Sequence, residues 1–422
     1  MYTGPKLTND NLVFGYDTGY GIADNNTTTR FYQGEPVTNL WDSMLNTQSL
    51  RTHTKHYWNG IKWTEDSTYT HPGVNGPKDT YLGLVFKHTS GALNSSWSGN
   101  SYGYMLRDIA CTSGATMTMS SWVYASTDCD VSSIPAAIEG ESGGETTISG
   151  YPASYDLNNK GTWQVLAKKA NSDGNVRFIP LYPRKNGVSN GSFAGFFMWA
   201  LPQVAYGDRV VPPIQPGATR SNTASLIDLK KTTDIDVGDV SFDSTGQPEF
   251  DGTNDEIEIA ASDWNKVTEV TVEAIVLVKG TPIDGNAYHV VAQKDGAYSG
   301  GAVYGIRING SNAPYGTFSK DATSAGTHVN TVSGTTMTAN KYYHLVYTRK
   351  VGESVFYQNG EQKSISTANN DAIYNNTDTF TIGQGDGRQL YGNIPVLKVH
   401  NSVLSATEIA DNFNAYKNRF NL

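Results

Sequence analysis

Cysteine is nearly absent from this chain: Cys111 and Cys129 are the two in 422 residues. A disulfide scaffold is therefore excluded, and the pair reads as free buried thiols or as one bridge between a strand and a loop. Charge is also scarce, at 17% of residues against roughly 25% in an average soluble protein. The balance is acidic, with a formal net charge of −9. Nucleic acid as a partner would require a local basic stripe. The best stretch, Arg51 to Lys62, is short and diluted by neutral residues, so none is expected. No apolar run approaches the ~20 residues of a membrane helix, and the richest stretch, Phe193 to Tyr206, is broken by Gly195 and Pro202. Met1 to Asn11 is polar and does not read as a secretory signal.

What the chain has instead is 43 glycines and many short apolar runs separated by Asn, Ser and Thr. That composition suits short strands joined by polar turns. The expected fold is all-β, with two tandem antiparallel β-sandwich (jelly-roll) domains, an irregular N-terminal segment and a short C-terminal helix. The boundaries read as an anchoring segment over 1–40, a first sandwich over 41–211, a Pro/Gly-rich linker over 212–224 and a second sandwich over 225–422.

The second sandwich carries the clearest local signals. Val270, Val272, Ala274, Val276 and Val278 alternate with Thr271, Glu273, Ile275 and Leu277, a period-two strand with its second face partly covered. Tyr342 to Arg349 is another strand. Asn359-Gly360 between two strand-like runs predicts a type I′ hairpin, because both turn positions need positive φ. Ser405 with Glu408 three residues on is a capping box, and Ile409, Phe413 and Tyr416 line one face of the helix that follows. In the first sandwich Met117, Met119, Ser121 and Val123 alternate with Thr118, Ser120, Trp122 and Tyr124; Trp163 to Leu166 and Ser192 to Leu201 read as further strands. Seven of the eight tryptophans lie in residues 41–199, so most of the large aromatic surface is expected here.

The order Phe250-Asp-Gly-Thr-Asn-Asp255, Val270–Lys279, Tyr343-His-Leu-Val346, Val355-Phe-Tyr-Gln-Asn-Gly360, Thr381-Ile-Gly-Gln384, Leu390-Tyr-Gly-Asn-Ile394 and Val403-Leu-Ser-Ala-Thr-Glu-Ile409 resembles laminin-G-like, concanavalin A-like jelly rolls over about 225–422. Gly161-Thr-Trp-Gln164 and Ala200-Leu-Pro-Gln-Val204 resemble a carbohydrate-binding-module-like jelly roll. Tyr32-Gln-Gly-Glu-Pro-Val-Thr-Asn-Leu40 and Asn412-Phe-Asn-Ala-Tyr-Lys-Asn-Arg-Phe420 resemble segments of tailed-phage virion proteins. These resemblances, not composition, imply a bacteriophage structural protein: a tail fibre, tail-associated or capsid-decorating component at the particle surface. Such a protein is made in the host cytoplasm without a signal. Residues 1–40 would contact other virion proteins, and a homotrimer is compatible although no coiled-coil heptads are present. The alternative is an adhesin that recognises host surface polysaccharide.

Catalysis is the hypothesis to weigh against these. Concanavalin A-like glucanases resemble one another in a Glu-x-Asp-x-(x)-Glu strand that sets carboxylates on either side of the scissile bond. Here Asp234-Ile-Asp236-Val-Gly-Asp239 has Asp where the longer Glu is needed, and Glu256-Ile-Glu258 lacks a third acid. No catalytic residue is assigned, and no enzyme activity is expected. Calcium suits Asp251, Asn254 and Asp255, or Asp386, as hard oxygen ligands; beside Gly these residues are first of all turn formers, so no cofactor is required. His53-x-x-His56 has no second pair of ligands for zinc. For stacking on a sugar ring the candidates are Tyr57, Trp58, Trp63 and Tyr69, in a polar Thr-rich stretch; Trp122 and Trp163 are expected in the core.

Overall fold

The computed structural model describes residues 7–19, 34–41, 53–58, 63–64, 83–93, 95–97, 100–102, 105–187, 192–211, 214, 217–243, 245–260, 262–283, 288–296, 302–321 and 328–422. Within these, the backbone alone is described for 53–58, 63–64, 83–92, 95–97, 100–102, 105–107, 140–142 and 328–331. The chain forms two compact all-β units. One is built from Pro36–Ser221; the other combines 7–19 and 34–35 with Asn222–Leu422.

The second unit is a sandwich. One sheet contains Pro248–Asp251, Tyr391–His400, Val270–Val278, Tyr342–Lys350, Glu353–Gln358 and Glu361–Ser366; the other contains Ile257–Ile259, Phe380–Ile382, Tyr288–Lys294, Tyr304–Asn309, Pro314–Ser319 and His328–Ser333. Val270, Val272, Ala274, Val276 and Val278 face inward and share one buried core with Ile306, Ile308, Phe318, Phe380 and Ile382. The period-two pattern thus maps directly onto the pleat. Asn359 and Gly360 adopt φ of 54° and 76°, as the hairpin requires.

The other face of Val270–Val278 is covered by the helix Ala406–Phe420. Ser405 caps that helix through a reciprocal capping box with Glu408. Beneath it lies a polar layer with no access to water. Glu273 is fully buried, accepts from His344 Nε2 at 2.8 Å, and accepts from Asn412 Nδ2 at 2.9 Å. Asn412 Oδ1 in turn accepts from the Thr8 amide at 2.7 Å. Burial on its own would raise the Glu273 carboxyl, but the hydrogen bond from His344 and the charge on Lys398 outweigh it and hold the group at about 2.

Residues 12–17 correct the expectation of an irregular anchoring segment. Leu12–Asp17 is a strand paired antiparallel with Val396–His400, and Phe14 and Tyr16 are fully buried in the second sandwich's core. Gly15 makes the fit: a Cβ there would stand 2.7 Å from the Leu397 carbonyl oxygen. Its amide donates to Asp228 Oδ1 and its carbonyl accepts from Leu229. The linker expectation also shifts, since Thr219–Arg220 pairs with Val37–Thr38 inside the first unit.

The first unit is organised by long bent strands. Trp163–Leu181 pairs with Thr116–Ala125 along its first half and with Met105–Ala110 along its second, within one eight-stranded sheet. Met117, Met119, Val123, Leu166, Phe197 and Trp199 from the first half meet Ile138, Val176, Phe178 and Leu181 from the second in a closed core.

Candidate functional site

The large sheet of the first unit has a second apolar face, opposite its core. On Thr116–Ala125 the residues between the core positions are Trp122 and Tyr124; on Trp163–Leu181 they are Trp163 and Val165; on Ser192–Tyr206 they are Phe196, Met198 and Ala200. Strand register sets them in rows, with Trp163 opposite Tyr124 and Tyr124 opposite Met198. The neighbouring row runs Val165, Trp122, Ala200.

A bulge between Phe193 and Phe196 brings the last ring into place. Gly195 sits there at φ 75°, where a Cβ would lie 2.4 Å from Ser126 Oγ. The Phe196 amide donates to that hydroxyl, and the Ser126 amide donates to the Phe196 carbonyl, both at 2.8 Å. Phe196 then stacks on Tyr124, centroids 5.8 Å apart at 19°, while Trp163 meets Tyr124 at 5.6 Å and 50°. Burial raises the Tyr124 phenol. Trp122, Trp163 and Phe196 are half-buried and pack against the buried Tyr124, Met198, Ala200 and Leu201. Trp122 and Trp163, expected in the core, thus lie at the margin of a second buried cluster rather than in the main one. The alternation had grouped Trp122 with Thr118 and Ser120 on the polar face, which was the signal that could have placed it.

The stacking candidates of the sequence lie at the edge of this same sheet. His53–Trp58 pairs with Gly83–Ala92, which pairs with Ser192–Tyr206. Trp58 stands opposite Trp63 across the hairpin, and Tyr57 opposite Thr64. Their backbone positions alone are described, and Tyr69 lies outside the described residues.

In the second unit, the outer face of the six-stranded sheet carries a polar cluster centred on Arg307, which the sequence reading missed. Arg307 is 2% exposed. Its Nε donates to Gln293 Oε1 at 2.8 Å, Nη1 to the Tyr288 hydroxyl at 3.0 Å and Nη2 to Asp386 Oδ2 at 2.5 Å. Gln293 passes the network on to Asp295, which also accepts from Thr381. Burial pushes the Asp295 carboxyl up to about 6 and the Tyr315 phenol up to about 12. The hairpin Gln384–Gln389 closes over this cluster. Gly385 permits the approach, since a Cβ there would come within 2.2 Å of Gln293 Nε2. Asp386, considered for calcium in the sequence, is here the partner of Arg307.

The other acidic candidates are engaged locally. Asp251 Oδ1 accepts from the Thr253 and Asn254 amides, and Asp255 Oδ2 accepts from the Asp251 amide at 2.8 Å. Asp236 accepts from Gly238 in the same way. Glu258 is exposed on the edge strand Ile257–Ile259, and burial raises the neighbouring Glu256. Among the described residues no group of three His, Cys, Asp or Glu side chains could hold a metal ion.

Residues 251–410 match the family model of the Concanavalin A-like lectin/glucanases superfamily. No curated protein matches the chain. Similar solved structures include a Trypanosoma rangeli sialidase in complex with the inhibitor DANA (15% identity, 44% of this chain and 30% of that one, TM-score 0.33). Another is the binding domain of botulinum neurotoxin DC in complex with rat synaptotagmin II (13% identity, 46% of this chain and 50% of that one, TM-score 0.36). A third comes from work on cell entry of botulinum neurotoxin type C through two ganglioside molecules (13% identity, 46% and 50%, TM-score 0.35). The alignments thus span between 30% and 50% of these structures' own length.

Proposed function

We infer that the protein is a non-catalytic structural component of a bacteriophage virion, a fibre, tail-associated or capsid-decorating protein that presents glycan-binding-type domains at the particle surface. The observation that carries glycan binding is the cluster of half-buried Trp163, Phe196 and Trp122 rings around the buried Tyr124 in the first sandwich. Flat rings beside hydroxyl-bearing strands suit the apolar face of a pyranose, with polar neighbours fixing its orientation. The match of residues 251–410 to a superfamily that includes lectins supports the same reading for the second sandwich. The phage assignment rests on the resemblance of 32–40 and 412–420 to virion-protein segments. Because Leu12–Asp17 belongs to the second sandwich, contacts with other virion proteins fall to surfaces other than that strand.

The carboxylates favour binding over hydrolysis. A glycosidase needs two acids facing each other across the scissile bond, one of them free to donate a proton. Asp386 is neutralised by Arg307, Asp295 is tied to Gln293 and Thr381, and Asp251 and Asp255 serve turns. No step of this reading requires calcium or another cofactor.

The experiment is binding of the labelled full chain to host cells and to their extracted surface polysaccharide in roughly 0.5 M salt, which screens surface charge contacts. Saturable binding that Trp163→Ala weakens by about tenfold or more is expected. Binding that Trp163→Ala leaves intact would remove this face from the reading, and reducing ends released from the polysaccharide would overturn the non-catalytic assignment. Antibody labelling of purified particles separates a virion component from a free adhesin.

A further inference from the structure

One cation of the second sandwich is withdrawn from water without a counter-ion. Lys294 is fully buried and ends the strand Tyr288–Lys294. Its register partners are Tyr304 on one neighbouring strand and Phe380 on the other, so aromatic rings flank its stem. Among the described residues the ammonium pairs with no carboxylate, and Nζ donates to three uncharged oxygens: Asn265 Oδ1 at 2.9 Å, the Asn265 carbonyl at 3.0 Å and the Asn376 carbonyl at 3.0 Å. Burying an unpaired charge costs a fold heavily. Burial, and then the charge on Lys266, lower this ammonium to about 8, which brings the neutral amine within reach near neutral pH.

Asn265 is just as buried. It ends the short 3₁₀ turn Asp263–Asn265, which Ser262 caps and which Trp264 fastens by stacking on Phe14 at 4.9 Å. The Tyr304 hydroxyl donates to the Asn265 carbonyl at 3.2 Å. The carboxamide is thus held against Nζ from two sides. With a C=O bond of ~1.2 Å, Nζ lies at most about 4.1 Å from Cγ, the carbon bonded to Oδ1. Nδ2 points away and donates to the Asp378 carbonyl at 3.4 Å, where the chain is exposed.

We propose that Lys294 and Asn265 join in an intramolecular isopeptide bond. The neutral Lys294 amine attacks Asn265 Cγ. The Nζ–Cγ bond forms, the Cγ–Nδ2 bond breaks, and one amine proton moves to Nδ2, which leaves as ammonia on the Asp378 side. The proton shed earlier by the ammonium goes to solvent and ends on that ammonia. No oxidant or co-reactant enters. Holding the two groups in contact supplies the effective concentration that such a step needs. The product is a neutral amide, so the buried charge disappears with the reaction. The bond closes a ring from 265 to 294 that encloses Val270–Val278, the middle strand of its sheet. A chain whose two cysteines are free thereby gains a covalent tie that reducing agents cannot open. This inference stands apart from the glycan-binding reading.

The test is the intact mass of the full wild-type chain, denatured and reduced, followed by a tryptic map. The linked protein is expected about 17 Da below its sequence mass, the loss of one ammonia. Trypsin should fail to cut after Lys294, and a branched species should join 232–266 to 280–307. Asn265→Ala and Lys294→Met should each show their full sequence mass and lack the branched species. Where either variant folds poorly, the wild-type map decides alone. Wild-type protein at its full sequence mass, cut normally after Lys294, overturns the proposal and leaves an ammonium in a cage of carbonyl oxygens. A loss of ammonia confined to 232–266 overturns it too, since that is an asparagine closed on its own backbone.

Discussion

Glu273 offers the sharpest energetic test of the second sandwich. Its carboxylate is fully buried between sheet and helix, with its two oxygens held by His344 and Asn412. The folded protein keeps it ionised down to about 2, against an ordinary value of 4.5. A carboxyl depressed on folding contributes stability that is fully present above the unfolded value and drains away as pH falls toward the folded one. At 1.36 kcal/mol per pH unit, the contribution is about 3 kcal/mol, present above roughly pH 5 and largely gone near pH 2. The perturbation is Glu273→Gln, which keeps the shape and one acceptor oxygen, turns the other acceptor into a donor, and cannot titrate. Urea unfolding followed by far-UV circular dichroism at a series of pH values gives the stability gap between the two proteins. Groups that titrate identically in both cancel in that gap. We expect it to shrink by about 2–3 kcal/mol between about pH 6.5 and pH 2.5. Parallel stability curves across that window would refute the reasoning, because they would mean that Glu273 has the same proton affinity folded and unfolded. Glu273→Ala, which strands His344 and Asn412 without their acceptor, should cost about 3–5 kcal/mol at neutral pH.

Asp295 runs in the opposite direction. Its folded value is raised to about 6, so it favours folding below the unfolded value near 4 and opposes folding above 6. Asp295→Asn should therefore stabilise the protein by up to about 3 kcal/mol at pH 8, with the gain vanishing near pH 3.5 in the same unfolding assay. Gly383→Ala should destabilise by roughly 2 kcal/mol or more, seen as an early melting transition, because φ is 79° and the new methyl would lie 2.1 Å from the Phe250 ring. Cys129 is fully buried and Cys111 half-buried, and burial raises both thiols. A thiol reagent should accordingly modify one cysteine slowly in native protein, and the second only in denaturant.

Much of the fold was legible because its signals are local. The Asn359-Gly360 turn, the Ser405–Glu408 capping box and the valine alternation of Val270–Val278 each declare themselves within a few residues, and each is present as read. Leu12–Asp17 was not legible, since its partner strand lies some 380 residues away and Gly15 reads as a loop former until the carbonyl of Leu397 is seen against it. The aromatic face was partly legible. Strand periodicity placed Trp122 among polar residues, but the habit of burying large rings argued the other way, and only the register shows Trp163 and Tyr124 side by side. Tyr57, Trp58 and Trp63 were read from exposure alone and lie at the margin of that sheet. Arg307 and Asp386 are 79 residues apart, and no pattern in the sequence joins them.

The pairing of Leu12–Asp17 with Val396–His400 fixes an order of events during synthesis. The strand has no partner until some 380 further residues have been made. At ~5–20 residues per second that interval is roughly 20–80 s. The first sandwich, encoded entirely within it, has time to complete its own core, since β-sandwiches fold in roughly milliseconds to seconds. The chain thus finishes its inserted domain before the domain that flanks it, and a ribosome that stalls before Tyr391 releases a folded first sandwich trailing an unpaired apolar strand.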